Sequence, residues 1–137
     1  MTSETTTSGT VKLPIFSGER DDYQRWEFQI GAYATLGKFA EAMGTSPEAD
    51  LPTSNAEVLD LTTDEGKRKD KARERNRRAV ASLSIALAQD PVALSYVYGG
   101  TTAEYPKGLA WKIMKSMEDK YAPDNRTGSS LAPWSYR

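Results

Sequence analysis

Between residues 67 and 78 the chain reads KRKDKARERNRR. Lys67, Arg68, Lys69, Lys71, Arg73, Arg75, Arg77 and Arg78 stand there against only Asp70 and Glu74. Eight bases and two acids make a net charge of +6 in a chain whose total is −1, so the remaining residues together carry −7. Ammonium and guanidinium groups at this density bind phosphates or carboxylates by charge-assisted hydrogen bonds. The chemistry on offer is a sequence-independent electrostatic contact to RNA or to an acidic partner protein, one that weakens steeply with salt. No aromatic residue is interleaved with the bases, so stacking on nucleobases is not part of it. The plainer alternative is a solvated helix face whose charges pair with neighbours three and four residues away. The residues alone leave both readings open.

What is missing narrows the chemistry further. The sequence has no cysteine and no histidine, which removes disulfides, zinc fingers, zinc knuckles, thiol nucleophiles and imidazole bases. Nineteen Asp and Glu residues remain, but no pair of them sits in an apolar context of the kind that shifts a carboxyl pKa toward catalysis. The expectation is a protein that is not an enzyme, with no cofactor, no metal and no small-molecule substrate.

The elements that position the basic run read as helices. Residues 13–16, Leu-Pro-Ile-Phe, form a short extended apolar lead-in to a turn at Ser17 and Gly18. A helix opens near Asp22 and shows Tyr23, Trp26, Ile30, Tyr33 and Ala34 on one side, the three-and-four spacing of an amphipathic helix. Phe28 lies off that stripe. Gly37 predicts an interruption, followed by a short helix through Phe39, Ala40 and Met43 that stops at Gly44. Residues 45–61 read as a loop punctuated by Pro47 and Pro52, with Leu51, Val58, Leu59 and Leu61 as scattered apolar anchors.

A capping box, Thr62 with Glu65 three residues on, then opens a helix over residues 63–88. That helix carries the basic run. Its first half is expected to be exposed, and its second half to be buried through Ala72, Ala79, Leu83, Ala86 and Leu87, with Val80 and Ile85 widening the stripe. Asp90 followed by Pro91 restarts a short helix that ends at Gly99 and Gly100. A last helix carries Ala110, Trp111, Ile113, Met114, Met117 and Tyr121. Its start is open between Thr101, Thr102 and Pro106, and Pro123 stops it. No convincing strand is present, so the fold class is all-α: a small bundle of about four to five helices with residues 13–16 packed across it.

At 137 residues the chain has the length of one domain. Its 38% hydrophobic and 27% charged content and mean hydropathy of −0.64 fit a soluble globular protein. Residues 1–11 read as a disordered Thr/Ser-rich tail, 12–122 as the helical domain and 123–137 as a flexible tail. No run approaches the roughly eighteen apolar residues of a membrane span, and the start of the chain lacks the features of a signal peptide. A cytoplasmic protein with no membrane contact is expected.

The ordered set of these residues resembles the N-terminal, capsid-like part of Gag from copia-type LTR retrotransposons. Leu13, Phe16 and Gly18 match its Leu-x-x-Phe-x-Gly opening, and Tyr23 with Trp26 match the aromatic pair that follows. The small and aliphatic residues at positions 79–85 match its central helix, and Thr102-Ala103, Trp111, Met114 and Tyr121 match its closing pattern. The resemblance spans most of the chain. Pro106-Lys107-Gly108 departs from it, interrupting what the family keeps as a smoother helix, and no zinc knuckle accompanies the domain. The resemblance implies a Gag fragment or a relic of one, a helical shell protein that associates with other Gag subunits and has non-specific RNA as a further partner. It agrees with reading Tyr23, Trp26, Trp111 and Tyr121 as packing residues; the order of aromatics along the chain itself pairs the opening stretch with residues 111–121, whose aromatic face places Trp26 near the last helix.

Overall fold

The computed structural model of the chain describes residues 11–123. The tail assigned to 1–11 therefore lies outside the described residues except for Val11, and the tail at 123–137 lies outside except for Pro123. Trp134 and Tyr136 also fall outside. Within the described residues the fold is all-α and contains no strand. Four α-helices follow one another: α1 Tyr23–Leu36, α2 Asp64–Ala86, α3 Pro91–Gly99 and α4 Ala110–Tyr121. Two 3-10 turns, Arg20–Asp22 and Ala40–Met43, flank α1. α2 packs on the second of these turns and on α3 and α4, and α3 packs on α4.

α1 buries Tyr23, Trp26, Ile30 and Ala34, the stripe its spacing predicts. Asp22 precedes it but does not cap it with its side chain; the carboxylate is taken by Arg25 one turn on. That hydrogen bond, with a second from Ser17, holds the Asp22 carboxyl below its usual range. The helix ends at Leu36, and the left-handed residue that closes it is Lys38, with φ 64°, rather than a glycine. The Phe39 N–H then returns to the Ala34 carbonyl at 2.9 Å, satisfying an end carbonyl of the helix, and the Phe39 ring is buried against the core.

The start of α2 is one residue later than the capping box predicts. Thr63 is the cap, its hydroxyl accepting from the Gly66 N–H at 2.9 Å. Thr62 is committed elsewhere, since its N–H and hydroxyl both reach the Asp60 carboxylate. A side chain at position 66 would place its Cβ 1.8 Å from the Asp60 carbonyl, so Gly66 lets residues 45–61 leave tightly across the first turn of α2. Contrary to expectation the first half of α2 is not exposed all round, because Gly66 and Asn76 are buried in addition to Ala72. In the second half Val80 is buried, but Ile85 faces solvent.

α3 begins as the sequence indicates: Pro91 is its first residue, and the Asp90 carboxylate accepts from the Ala93 N–H at 3.0 Å. The start of α4 settles the open choice among Thr101, Thr102 and Pro106 in favour of none of them. Thr102 accepts from the Tyr105 N–H within a turn, and α4 opens at Ala110 after Leu109, which caps nothing with its side chain. The cap comes from another helix. Asn76 of α2 accepts from the Ala110 N–H at 2.9 Å and donates to the Gly108 carbonyl at 3.1 Å.

One buried cluster joins α1, the second half of α2, α3 and α4. Phe16 sits at its centre, fully buried, with its N–H bonded to the Ala86 carbonyl at 2.9 Å. Its ring lies 5.4 Å from Trp26, 6.1 Å from Tyr23 and 4.9 Å from Tyr121. Edge-to-face and offset rings at these separations attract beyond their area burial.

Candidate functional site

Three groups of residues merit description as sites: the aromatic signature, the basic run and the outer face of α1. The signature residues meet in space with one exception. Tyr23 stacks on Tyr121 at 5.9 Å, Trp26 reaches the last helix through Phe16, and the Trp26 indole N–H donates to the Pro14 carbonyl at 3.0 Å. Leu13 packs against the same cluster. Gly18, with φ 92°, lies against Asp90, where a Cβ would come within 2.6 Å of the carboxylate. The Tyr121 hydroxyl donates to that same carboxylate at 3.2 Å. Burial, aided by the Asp90 charge, pushes the Tyr121 phenol up to about 12. Trp111 is the exception. It is half-exposed and outside the core cluster, because α4 turns Ala110, Ile113, Met114, Met117 and Tyr121 inward and one residue's rotation of about 100° carries position 111 to the flank. Tyr121 supplies the aromatic face expected of Trp111.

The basic run lies on the first half of α2 and is largely paired with acids of the same chain. Arg75 donates through two nitrogens to one oxygen of Glu48, at 2.7 and 3.0 Å, and lies 3.6 Å from Glu41; these carboxylates raise its affinity for its proton. Arg73 donates to the carbonyls of Glu57 and Asn55 at 2.7 and 3.1 Å and to Asp70. Lys69 lies between Glu65 and Glu57, and Arg68 is 3.7 Å from Asp50. Arg77 and Arg78 share Glu74, and Arg78 also reaches the Gly37 carbonyl. The hydrogen bond from Arg77 keeps the Glu74 carboxyl below its usual range. Among the described residues only Lys67 and Lys71 of the eight have no ion-pair partner.

Residues 45–61 thus form a strap held on α2 by charge. They contain Glu48, Asp50, Glu57 and Asp60 and no base. The apolar anchors expected there do not carry it: Val58 is 95% exposed and Leu61 is exposed, while Leu51 and Leu59 are only half-buried. The strap is fixed instead by polar contacts, including the Tyr105 hydroxyl on the Pro52 carbonyl at 2.7 Å and the Asn55 N–H on the Glu104 carbonyl at 2.9 Å. Glu57 accepts from both the N–H and the hydroxyl of Thr53, which lowers its pKa. Glu48 has a side chain only 9% exposed, and its second oxygen has no hydrogen-bond partner among the described residues.

The third feature is apolar. Phe28 is 79% exposed and Leu36 is 65% exposed. With Ala32 they fall at i, i+4 and i+8 on the face of α1 opposite its buried stripe. A groove of about 510 Å³ runs along one side of this ridge, bounded by residues 11–15 and Tyr33, and one of about 560 Å³ along the other, bounded by Gly31, Met43 and Met114. Phe28 is off the core stripe because it belongs to a second, outward stripe.

Among the described residues no group of three or more Asp or Glu side chains is placed to hold a metal ion, and no helix is long and apolar enough to cross a membrane. Comparison of the chain with protein-family models, with curated proteins and with solved structures finds no match.

Proposed function

We propose that this chain is a structural, self-associating domain of the kind found at the N-terminal end of Gag in copia-type LTR retrotransposons, or a relic of one. Its work is to pack against copies of itself in the shell of a particle in the cytoplasm, without catalysis and without a cofactor. The observation that carries the reading is the ridge of Phe28, Ala32 and Leu36. An i, i+4, i+8 apolar row flanked by two grooves is a self-complementary surface: the knob of one copy fits the groove of another, as a two-fold contact requires. A single exposed apolar side chain is ordinary, but a contiguous row of them along one helix face is the kind of surface that marks an interaction site. The ordered likeness of residues 13–121 to the Gag pattern supports the same reading. The basic run adds less to it, since most of its charge is answered within the chain.

Sedimentation velocity across a concentration series tests the proposal. The wild-type chain is expected to associate as concentration rises, and the double variant Phe28→Glu, Leu36→Glu is expected to stay monomeric with an unchanged helical spectrum. A wild-type chain that remains monomeric at millimolar concentration, or a variant that associates equally well, contradicts it.

A further inference from the structure

We propose that one flank of α2 is a binding surface for the phosphate backbone of single-stranded RNA, and that the acidic strap at residues 45–61 occupies part of it as an internal competitor. The surface is the row Lys67, Lys71, Arg75 and Arg78, spaced four, four and three residues apart and so on one side of the helix. Lys38, at the end of α1, joins Lys71, Arg75 and Arg78 around a single open groove, whose remaining lining residues, Asp70 and Glu74, are each already paired with an arginine of α2. Lys67 and Lys71 are free of ion pairs among the described residues, and phosphates spaced along a chain suit such a row. This surface lies apart from the outward face of α1 and does not require self-association.

The competition follows from how the strap is held. Its acids lie on both flanks of the helix: Asp50 and Glu48 take Arg68 and Arg75 on the side of the row, and Glu57 takes Lys69 on the other. These are the contacts a phosphate chain would make, supplied by carboxylates. The strap has little else to hold that side. Apart from Pro52 its residues are exposed or half-buried, and the Glu48 carboxylate is buried with one oxygen unanswered. A buried acceptor with no donor is a standing cost. The strap is therefore a ligand of marginal fit, and a polyanion that offers several phosphates at once can displace its Glu48 arm and gain Arg68 and Arg75.

The test is fluorescence anisotropy with a labelled single-stranded RNA oligonucleotide across a salt series. Three proteins are compared: the wild-type chain, the strap variant Glu48→Gln with Asp50→Asn, and the control Glu19→Gln with Asp21→Asn. The control makes the same change in net charge at exposed acids outside the row. The strap variant is expected to bind at least about tenfold more tightly than the control at low salt. Its log–log salt dependence should steepen by about 1.4, because each of the two released arginines adds about 0.7 for a single strand. Lys71→Glu with Arg78→Glu in the strap variant should abolish the gain. Circular dichroism reports whether each variant folds, and the salt slope of the folded fraction is read even where Glu48→Gln lowers stability. Equal tightening in the strap variant and the control, an unchanged slope, or no binding by any of the three overturns the proposal.

Discussion

Replacing Asn76 with alanine is expected to cost about 2–4 kcal/mol, through the start of a helix that Asn76 does not belong to. Asn76 is the one buried polar side chain of the described core, 6% exposed. It answers two backbone groups with its two ends, the Ala110 N–H at 2.9 Å and the Gly108 carbonyl at 3.1 Å. Both residues are buried, and water reaches the groups orphaned by the truncation only from the groove of about 270 Å³ that Asn76 and Gly108 line beside Tyr105. Each orphaned group costs about 1–3 kcal/mol, the carbonyl less than the N–H. Alanine's better helix propensity returns about 0.6 kcal/mol within α2. For a domain of this size the net loss lowers Tm by roughly 10–15 °C. Urea titration followed by circular dichroism measures the free energy, and amide exchange locates the damage, which should fall at Ala110 and the first turn of α4 before it reaches α1. A loss below about 1 kcal/mol, or an Ala110 amide still protected in the variant, refutes the reasoning.

Trp26→Ala should cost about 3–5 kcal/mol in the same titration, since the ring is 1% exposed and lies against Phe16 and Tyr23; a cost below 1 kcal/mol would show that Trp26 is not core. Lys38→Gly should stabilise the chain by up to about 1 kcal/mol, because φ 64° strains a residue with a Cβ, and a destabilised variant would count against that backbone conformation. Acid should loosen the strap, the start of α1 and the middle of α2. Hydrogen bonds from Thr53, Arg77 and Arg25 depress the Glu57, Glu74 and Asp22 carboxyls in the folded chain, so the unfolded chain binds those protons first. Their contribution is complete above the usual values of 4.5 for Glu and 3.8 for Asp and drains as pH falls through the lower folded values. The urea midpoint should be flat from pH 7 to about 5 and fall below that; a midpoint that rises below pH 4 contradicts the assignment.

The sequence made the helical class, the two glycine-marked breaks and the cap at Asp90 legible, because each rests on local rules: apolar spacing, a residue pair at a helix start, a glycine at its end. The buried stripe of α1 was readable for the same reason. What escaped were contacts between distant segments. Asn76 reads as one more polar residue in a charged helix, and only the chain's return at Gly108 and Ala110 gives it two partners. The capping register slipped by one because Asp60, two residues upstream, claims Thr62. The basic run looked like a free charge because its counter-charges lie far along the chain, 27 residues away between Arg75 and Glu48 and farther still at Glu41. One signal was available: residues 45–61 hold four acids and no base, the complement of the helix that follows. Phe28 was similarly legible as a misfit to the core stripe. Leu36, eight residues on, marks that misfit as a second face.

Chemical-shift mapping of the isotope-labelled chain over a range of concentrations tests the role of the outward face of α1 residue by residue. If Phe28, Ala32 and Leu36 form the self-association surface, concentration-dependent shifts will gather on these positions and on the grooves beside them, at residues 11–15, Gly31 and Met43, and will leave the strap and the basic flank of α2 unmoved. Shifts that gather on α2 and residues 45–61 while α1 stays silent would contradict it.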